Sequence, residues 1–415
     1  MNNDTPSNGL VLVINTGSSS IKMALLRMPS ETTVAEGLLE DRSATEAILN
    51  WNIAGQQQQA TTLNNSQNSI QQMLALLFLH CDKNDIIAVG HRVVHGGERF
   101  IKPTRIDATV IAELETLSHL APLHNPANIR GIRAAMQALS DIPHIAVFDT
   151  AFHHNMPKHA SLYAVPYHWY RDHAVRRYGF HGTSHHYVTQ EAAICLGREL
   201  SDCQLLTAHL GNGCSATAIA AGSSIDTTMG FTPLEGLVMG TRSGDIDPGL
   251  HHYMAEKTGA SLADITDILN RKSGLLGLSE RSNDMRTLLQ ARADGDDQAG
   301  LAIDVFCYRL AKALAGLAIG LDHIDALIFT GGIGEHASPI RAQTVEHLRV
   351  LGMHIDEPRN LCHGQNSHGF ISPQDATISI LMIATDEEKM IARYVIQRLE
   401  RQQSSERRQD REQSA

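Results

Sequence analysis

The sequence predicts an α/β protein built from two copies of one unit with a cleft between them. Three observations carry that expectation. At 415 residues the chain exceeds what one hydrophobic core usually holds, so two domains are expected. Short apolar strands end repeatedly on polar residues, the place where open α/β sheets put ligands. A strand, glycine turn, strand pattern in the first half returns in the second.

The first such pattern is Val11 to Leu26. Val11-Leu12-Val13-Ile14 runs into Asn15-Thr16-Gly17-Ser18-Ser19-Ser20, and a β-rich run carrying Lys22 follows, which reads as a hairpin. Its turn is dense in backbone N–H and hydroxyl donors, which suits an anion, with Lys22 as a point charge at the rim. A plain Gly/Ser hairpin accounts for the turn equally well. It is not a P-loop, because G-x-x-x-x-G-K-[ST] is absent and a strand follows. Gln56 to Gln72, rich in Gln, Asn, Ser and Thr, reads as a surface insertion. Ile86 to Gly90 reads as a buried strand that delivers His91-Arg92-Val93-Val94-His95-Gly96-Gly97. Pro126 to Leu139 reads as a helix capped by Asn125, with Pro126 in its first turn. His144 to Phe148 is a further strand, ending on Asp149-Thr150.

In the second half, Leu205 to Leu210, Gly211-Asn212-Gly213 and Cys214 to Ala220 repeat the opening, and Ser223 to Thr228 supplies a third strand. Gly17-Ser18-Ser19 aligns with Gly213-Cys214-Ser215. Leu301 to Leu321 reads as a buried helix. Ala326 to Thr330 runs into Gly331-Gly332-Ile333-Gly334-Glu335, with a helix start expected near Ser338-Pro339, a nucleotide or phosphate geometry. Ile378 to Ile383 is a strand leading to Thr385-Asp386-Glu387-Glu388, and a helix follows from about Glu388 to Leu399. The polar, mixed-charge tail beyond it is expected to be disordered or a frayed helix.

Composition excludes several function classes. Lys+Arg 34 against Asp+Glu 45 gives a net charge of −11, so sequence-independent nucleic-acid binding is disfavoured and an anionic ligand must be held by local arginines. Six cysteines show no C-x-x-C pair, which points to free thiols in a reducing cytoplasm. MNNDTPSNG lacks a signal-peptide pattern and no run reaches membrane-spanning length, so a soluble cytoplasmic protein is expected. The 23 histidines invite a metal reading that fails on spacing: His153-His154, His185-His186 and His251-His252 are adjacent pairs and H-E-x-x-H is absent.

The chain resembles the acetate kinase family, of the superfamily that includes sugar kinases, chaperone ATPases and actin. The resemblance runs from Val11 to about Arg393. It rests on NTGSSSIK (Asn15 to Lys22), GHRVVHGG (Gly90 to Gly97), LAPLHNP (Leu120 to Pro126), FDTAFH (Phe148 to His153), YGFHGTSH (Tyr178 to His185), HLGNG (His209 to Gly213), MGTRSGDIDPG (Met239 to Gly249), NDMR (Asn283 to Arg286), GGIGE (Gly331 to Glu335) and TDEE (Thr385 to Glu388). It implies a duplicated actin-like ATPase (ribonuclease H-like) fold. The expected domains are 1–150, completed by a C-terminal helix over 386–400, and 151–385, with a disordered tail over 401–415 and the active site in the cleft.

The activity implied is reversible, in-line transfer of the ATP γ-phosphoryl group to acetate. Such transfer needs neutralised phosphoryl oxygens and aligned reactants, so arginines, a histidine and Mg²⁺ should converge. Asp149, His181 and Arg242 match the family's catalytic residues. Arg92 would hold the acceptor carboxylate and the transferring group with Arg242, and His181 would donate to a phosphoryl oxygen. Read without the resemblance, Arg92 is better explained by a buried salt bridge and His181 by a helix-capping contact. Asp149 is expected to orient Mg²⁺ waters or align the acceptor, because a short carboxylic acid is already ionised at pH 7. Val94, Leu123, Phe180 and Pro233 would line the pocket for the acceptor's methyl group, with Val94 favouring acetate over propionate.

ATP would be gripped by Lys22, by His209, Leu210, Gly211, Asn212 and Gly213, by Asp284, Met285 and Arg286, and by Gly332, Ile333, Gly334, Glu335 and His336. At His336 the chain departs from the family, which usually has Asn there. Asn15 and Glu387 match the family's Mg²⁺ ligands, with Mn²⁺ as a substitute, and Glu387 also suits the first turn of a helix. The resemblance further implies a homodimer. The rival readings are a propionate or butyrate kinase and an actin- or chaperone-type ATPase without a small acceptor.

Overall fold

The computed structural model describes residues 9–17, 20–41, 46–53, 55–63, 66–122 and 124–413. The chain divides into two compact units, Met1–Ala151 with Asp386–Ala415, and Phe152–Thr385. The first begins with β1 (Gly9–Thr16), β2 (Ser20–Met28), β3 (Thr32–Asp41), β4 (Glu46–Ile53), β5 (Gln56–Leu63) and α1 (Ser66–Leu77). It continues with β6 (Ile86–Val93), β7 (Thr104–Arg105), α2 (Ala108–Thr116), α3 (Asn125–Ala138) and β8 (His144–Phe148).

The second unit holds α4 (Lys158–Ser161), α5 (Tyr167–His173), α6 (Gly182–Leu196), β9 (Gln204–Leu210), β10 (Cys214–Ala220) and β11 (Ser223–Thr227). Then come α7 (Gly249–Thr258), α8 (Leu262–Arg271), α9 (Gly274–Ser279), α10 (Met285–Ala293), α11 (Asp297–Ala318) and β12 (Ala326–Thr330). It closes with α12 (Gly331–His336), α13 (Ser338–His347), α14 (Glu357–Leu361) and β13 (Ser379–Met382), after which α15 (Glu387–Gln413) belongs to the first unit.

The repeat read from the glycine turns is visible in the two sheets. The first contains the order β3-β2-β1-β6-β8 within eight strands, and the second is β11-β10-β9-β12-β13. In both, three strands pair antiparallel and the next two join in parallel. The order places a hairpin turn and the carboxyl ends of the parallel strands at one edge, where polar residues can gather.

Val11 to Ile14 is a continuous apolar run because β1 is covered on both faces. Leu10, Leu12 and Ile14 share a core with Ile70, Met73 and Leu74 of α1 and Ala134 and Ala135 of α3. Val11 and Val13 pack on the other side with Ile391, Ala392 and Val395 of α15. Gly90 lets that helix lie close, since a Cβ there would sit 2.7 Å from Ile391 and 2.9 Å from Val395. On the second sheet, α6 and α11 both pack against β9.

Several expectations are corrected. Gln56 to Gln72 is not an insertion: its first part is β5, paired with β4 at the sheet edge, and α1 buries Ile70, Met73 and Leu74. The polar composition misled because an edge strand tolerates polar side chains on its water-facing surface. A short helix, α12, starts directly after β12 at Gly331, and the helix expected near Ser338 follows it as α13, with Pro339 in its first turn. The buried helix expected over Leu301 to Leu321 runs Asp297–Ala318, capped by Asp296. The last helix continues to Gln413, past the expected end at Leu399.

Candidate active site

In the first unit, three neighbouring strands deliver polar groups at their carboxyl ends: Asn15 from β1, Arg92 from β6 and Asp149 just past β8. The Arg92 Nε donates to both Asp149 oxygens at 3.0 Å, Nη2 donates to Oδ2 at 2.6 Å, and Nη1 donates to the Asn15 amide oxygen at 3.2 Å. Glu387, the first residue of α15, brings a carboxylate oxygen to 3.8 Å from Nε. The salt bridge that Arg92 alone suggested is therefore present. A guanidinium has five N–H donors, so two remain for an incoming anion.

Asp149 is 1% exposed. Burial raises its pKa above the usual carboxylate range, against the opposing pull of Arg92. Lys22 pairs with Glu388 at 2.9 Å, so its charge is already met by a carboxylate that the sequence reading did not single out. Glu388 lies next to Glu387, and that adjacency was its only signal.

The loop after β6 is pinned by the start of α3. The Val94 N–H donates to Asn128 Oδ1 at 3.1 Å, and Asn128 Nδ2 donates to the Thr16 carbonyl at 2.5 Å. Asn125 does not cap α3. Its amide instead accepts from the His95 N–H at 3.2 Å and donates to the His95 carbonyl at 3.0 Å. Val94 is buried, and Leu123 lies outside the described residues. Behind Arg92, the His144 Nε2–H donates to the Leu139 carbonyl at 3.1 Å, so His144 Nδ1 accepts the Nε2–H of His91 at 2.8 Å. Burial holds both rings neutral, with pKa values below the usual imidazole range.

In the second unit, Gly213 at the β9–β10 turn brings His181 and Arg242 together. A Cβ on Gly213 would lie 3.3 Å from His181 Nε2 and 3.5 Å from Arg242 Nη1. His181 sits at the N-cap position of α6 with a left-handed φ of 56°, yet its side chain makes no cap hydrogen bond. Its Nδ1 instead meets the Ser215 hydroxyl at 2.9 Å. The preceding turn is braced by His153, whose Nε2–H donates to the Phe180 carbonyl at 3.0 Å while Ser224 donates to Nδ1 at 2.8 Å.

Arg242 donates to the Pro233 carbonyl at 3.3 Å, which ties Pro233 to this cluster. Desolvation lowers the Arg242 pKa, and no carboxylate among the described residues pairs with it. A partly buried guanidinium without a carboxylate partner is suited to an anion.

Several of the residues expected to grip ATP lie at this turn or beside it. Asn212 accepts from Asn283 Nδ2 at 3.0 Å through its amide oxygen and from the Gly240 N–H at 3.0 Å through its carbonyl. Gly331 has φ of 75°, and a Cβ there would lie 2.8 Å from the Leu210 carbonyl oxygen, so only glycine fits. Glu335 accepts the N–H groups of Gly331 at 3.0 Å and Thr385 at 3.1 Å. Arg341, buried and unnoticed in the sequence, donates to the carbonyls of Gly334 at 2.8 Å and Glu335 at 3.0 Å.

Asp284 caps α10 and pairs with the exposed Arg286 at 2.6 Å. The side chains of Met285 and Leu210 are buried, leaving only their backbone for a ligand, whereas His336 is exposed. Among the described residues no group of three or more His, Cys, Asp or Glu could hold a metal ion, and all six cysteines are free. No helix among them is long and apolar enough to cross a membrane.

Comparison with known proteins places the chain in a family. Residues 10–393 match the Acetokinase family. The chain is 50% identical over 386 residues to an acetate kinase of Deinococcus deserti, covering 92% of this chain and 96% of that one. It is 48% identical over 384 residues to an acetate kinase of Pseudomonas aeruginosa, covering 92% and 97%. Among solved structures it resembles a propionate kinase from Francisella tularensis (TM-score 0.87, 43% identity, 93% and 98% coverage). It also resembles the Porphyromonas gingivalis acetate kinase (TM-score 0.85, 38% identity, 92% and 98% coverage).

Proposed function

This chain belongs to the acetokinase family, and from that premise we propose that it transfers the γ-phosphoryl group of ATP reversibly to acetate, giving acetyl phosphate and ADP. The observation that carries the reading is Arg242, a desolvated guanidinium lacking a carboxylate partner and set beside His181 at a glycine turn. Arg92, with two donors left over after Asp149 and Asn15, supplies a second anion contact. In the transition state charge spreads over the phosphoryl oxygens, and donors fixed beforehand stabilise it without reorganising. Asp149 aligns Arg92 and is not needed as a base. His209 to Gly213 and Gly332 to Glu335 supply groups for the nucleotide, with Lys22, Asp284 to Arg286 and His336 as further contacts.

Asn15 and Glu387 suit Mg²⁺, since both offer hard oxygen atoms. The carboxylates of Asp149, Glu387 and Glu388 also outnumber the cations Arg92 and Lys22 around them. Bound there, Mg²⁺ would neutralise nucleotide phosphate charge. Val94, Leu123, Phe180 and Pro233 are assigned to the acceptor's methyl group. Propionate as acceptor is the second reading, favoured by the likeness to the Francisella propionate kinase. A cytoplasmic homodimer completes the proposal; Leu250, Tyr253 and Met254 on one face of α7 are exposed and apolar enough to serve a subunit contact. The test is an acyl-phosphate assay with acetate, propionate and butyrate at saturating Mg-ATP. Acetate should be fastest and propionate slower, and ATP turnover indifferent to every acid would overturn the reading.

A further inference from the structure

Around His181 lies a chain of buried hydrogen bonds that the phosphoryl-transfer reading does not use. Thr207 Oγ1 meets His185 Nδ1 at 2.7 Å, His185 Nε2 meets Ser215 Oγ at 2.7 Å, and Ser215 Oγ meets His181 Nδ1 at 2.9 Å. Thr207, His185 and Ser215 are each fully buried. No carboxylate takes part, and burial keeps the His185 ring neutral, so each link carries one proton.

Only two proton arrangements are self-consistent along such a chain. In one, Thr207 donates to His185, His185 to Ser215, and Ser215 to His181 Nδ1, which leaves the neutral His181 ring protonated on Nε2. In the other every bond is reversed, and neutral His181 presents a bare Nε2. The 2.7 Å contact of Thr207 with His185 serves either direction, and in the reversed chain the Thr207 hydroxyl would turn to the Thr217 carbonyl at 3.5 Å, the limit of a hydrogen bond. The first arrangement is the one that leaves His181 able to donate from Nε2. Two basic side chains lie close to His181 as well. Arg242 borders the same space above Gly213, and the His209 ring lies 4.3 Å away by centroids.

We propose that Thr207, His185 and Ser215 are positioning residues that hold His181 as the tautomer with its proton on Nε2, a neutral donor to the transferring phosphoryl oxygen. This rests on the reading of His181 given above. It separates two ways in which the histidine could donate: as an imidazolium, or as a neutral ring whose proton is fixed by its surroundings. The groups facing His181 in its own unit include Arg242, His209, Ser215 and, beyond Ser215, His185.

The experiment measures kcat and both KM values for acyl-phosphate formation in the wild type, Ser215→Ala, Ser215→Thr and His181→Ala. Wild-type kcat should stay level from about pH 7 to about pH 8.5, because a neutral donor is not lost as imidazolium disappears. Ser215→Ala should lower kcat by roughly tenfold to a hundredfold with KM values within about twofold, and Ser215→Thr should restore most of the loss. A wild-type kcat that falls about tenfold per pH unit over that range overturns the neutral donor, and needs no variant to fold. Folded Ser215→Ala with unchanged kcat overturns the chain while leaving the kinase reading standing. A fully active His181→Ala overturns the role of His181 itself, and so tells the two failures apart.

Discussion

Replacing Asp149 by Asn is the most direct probe of the first cluster. The carboxylate receives three hydrogen bonds from Arg92, the shortest 2.6 Å, and is 1% exposed. Asn keeps the shape but turns one acceptor oxygen into an NH₂ facing guanidinium N–H groups. Breaking a buried ion pair costs about 3–5 kcal/mol. The low end applies, because the Arg92 side chain is 21% exposed and Glu387 remains at 3.8 Å. That cost of about 3 kcal/mol falls on the fold, while the loss of Arg92 as an aligned donor to the transferring group lowers kcat by roughly a hundredfold. The assay is hydroxamate trapping of acetyl phosphate across pH, with a Mg²⁺ titration at each point. Since the acceptor acid is ionised at neutral pH, the profile should keep both limbs while the Mg²⁺ requirement rises. An unchanged Mg²⁺ requirement together with a lost limb would refute the aligning role and restore Asp149 as a base.

Three further outcomes are expected. Gly213→Ala places a methyl group 3.3 Å from His181 Nε2 and 3.5 Å from Arg242 Nη1, so activity should drop about a hundredfold while the melting temperature holds; retained activity would show that the space is not used. Val94→Ala should raise kcat/KM for propionate relative to acetate by about tenfold or more, read from steady-state rates, because one methylene is worth ~1–3 kcal/mol. Stability should fall as pH drops below about 6.5. His91, His144, His153 and His185 have pKa values lowered by burial, that of His153 to about 4, so the unfolded chain binds protons the native one refuses. Each adds a slope of up to ~1.4 kcal/mol per pH unit, whereas Asp149, raised by burial, acts with the opposite sign. Urea denaturation at several pH values checks this, and a midpoint independent of pH between about 7 and 5 would contradict it.

How legible each part was in the sequence follows from how local its cause is. His144 to Phe148 and Ala326 to Thr330 were read with their observed bounds, because a strand buried on both faces is a bare apolar run. Strand β5 and helix α1 were missed, since their polar residues suit an edge strand and the wet side of a helix as well as a loop. Arg92 and Asp149 were named singly, but their pairing joins residues on two strands and has no trace in spacing. The same holds for Ser215, whose hydroxyl bridges His181 and His185 across the turn. Asn125 shows the opposite error: a local capping rule gave way to a partner thirty residues upstream.

The path of the chain has a consequence for biosynthesis. Helix α15 is synthesised after both sheets, yet its Ile391, Ala392 and Val395 cover the inner valines of β1. Until α15 is made, that apolar surface of the nascent sheet has no lid and is open to wrong partners. A stop codon that removes α15 would therefore injure the unit that holds β1, far away in the message from where the damage was done.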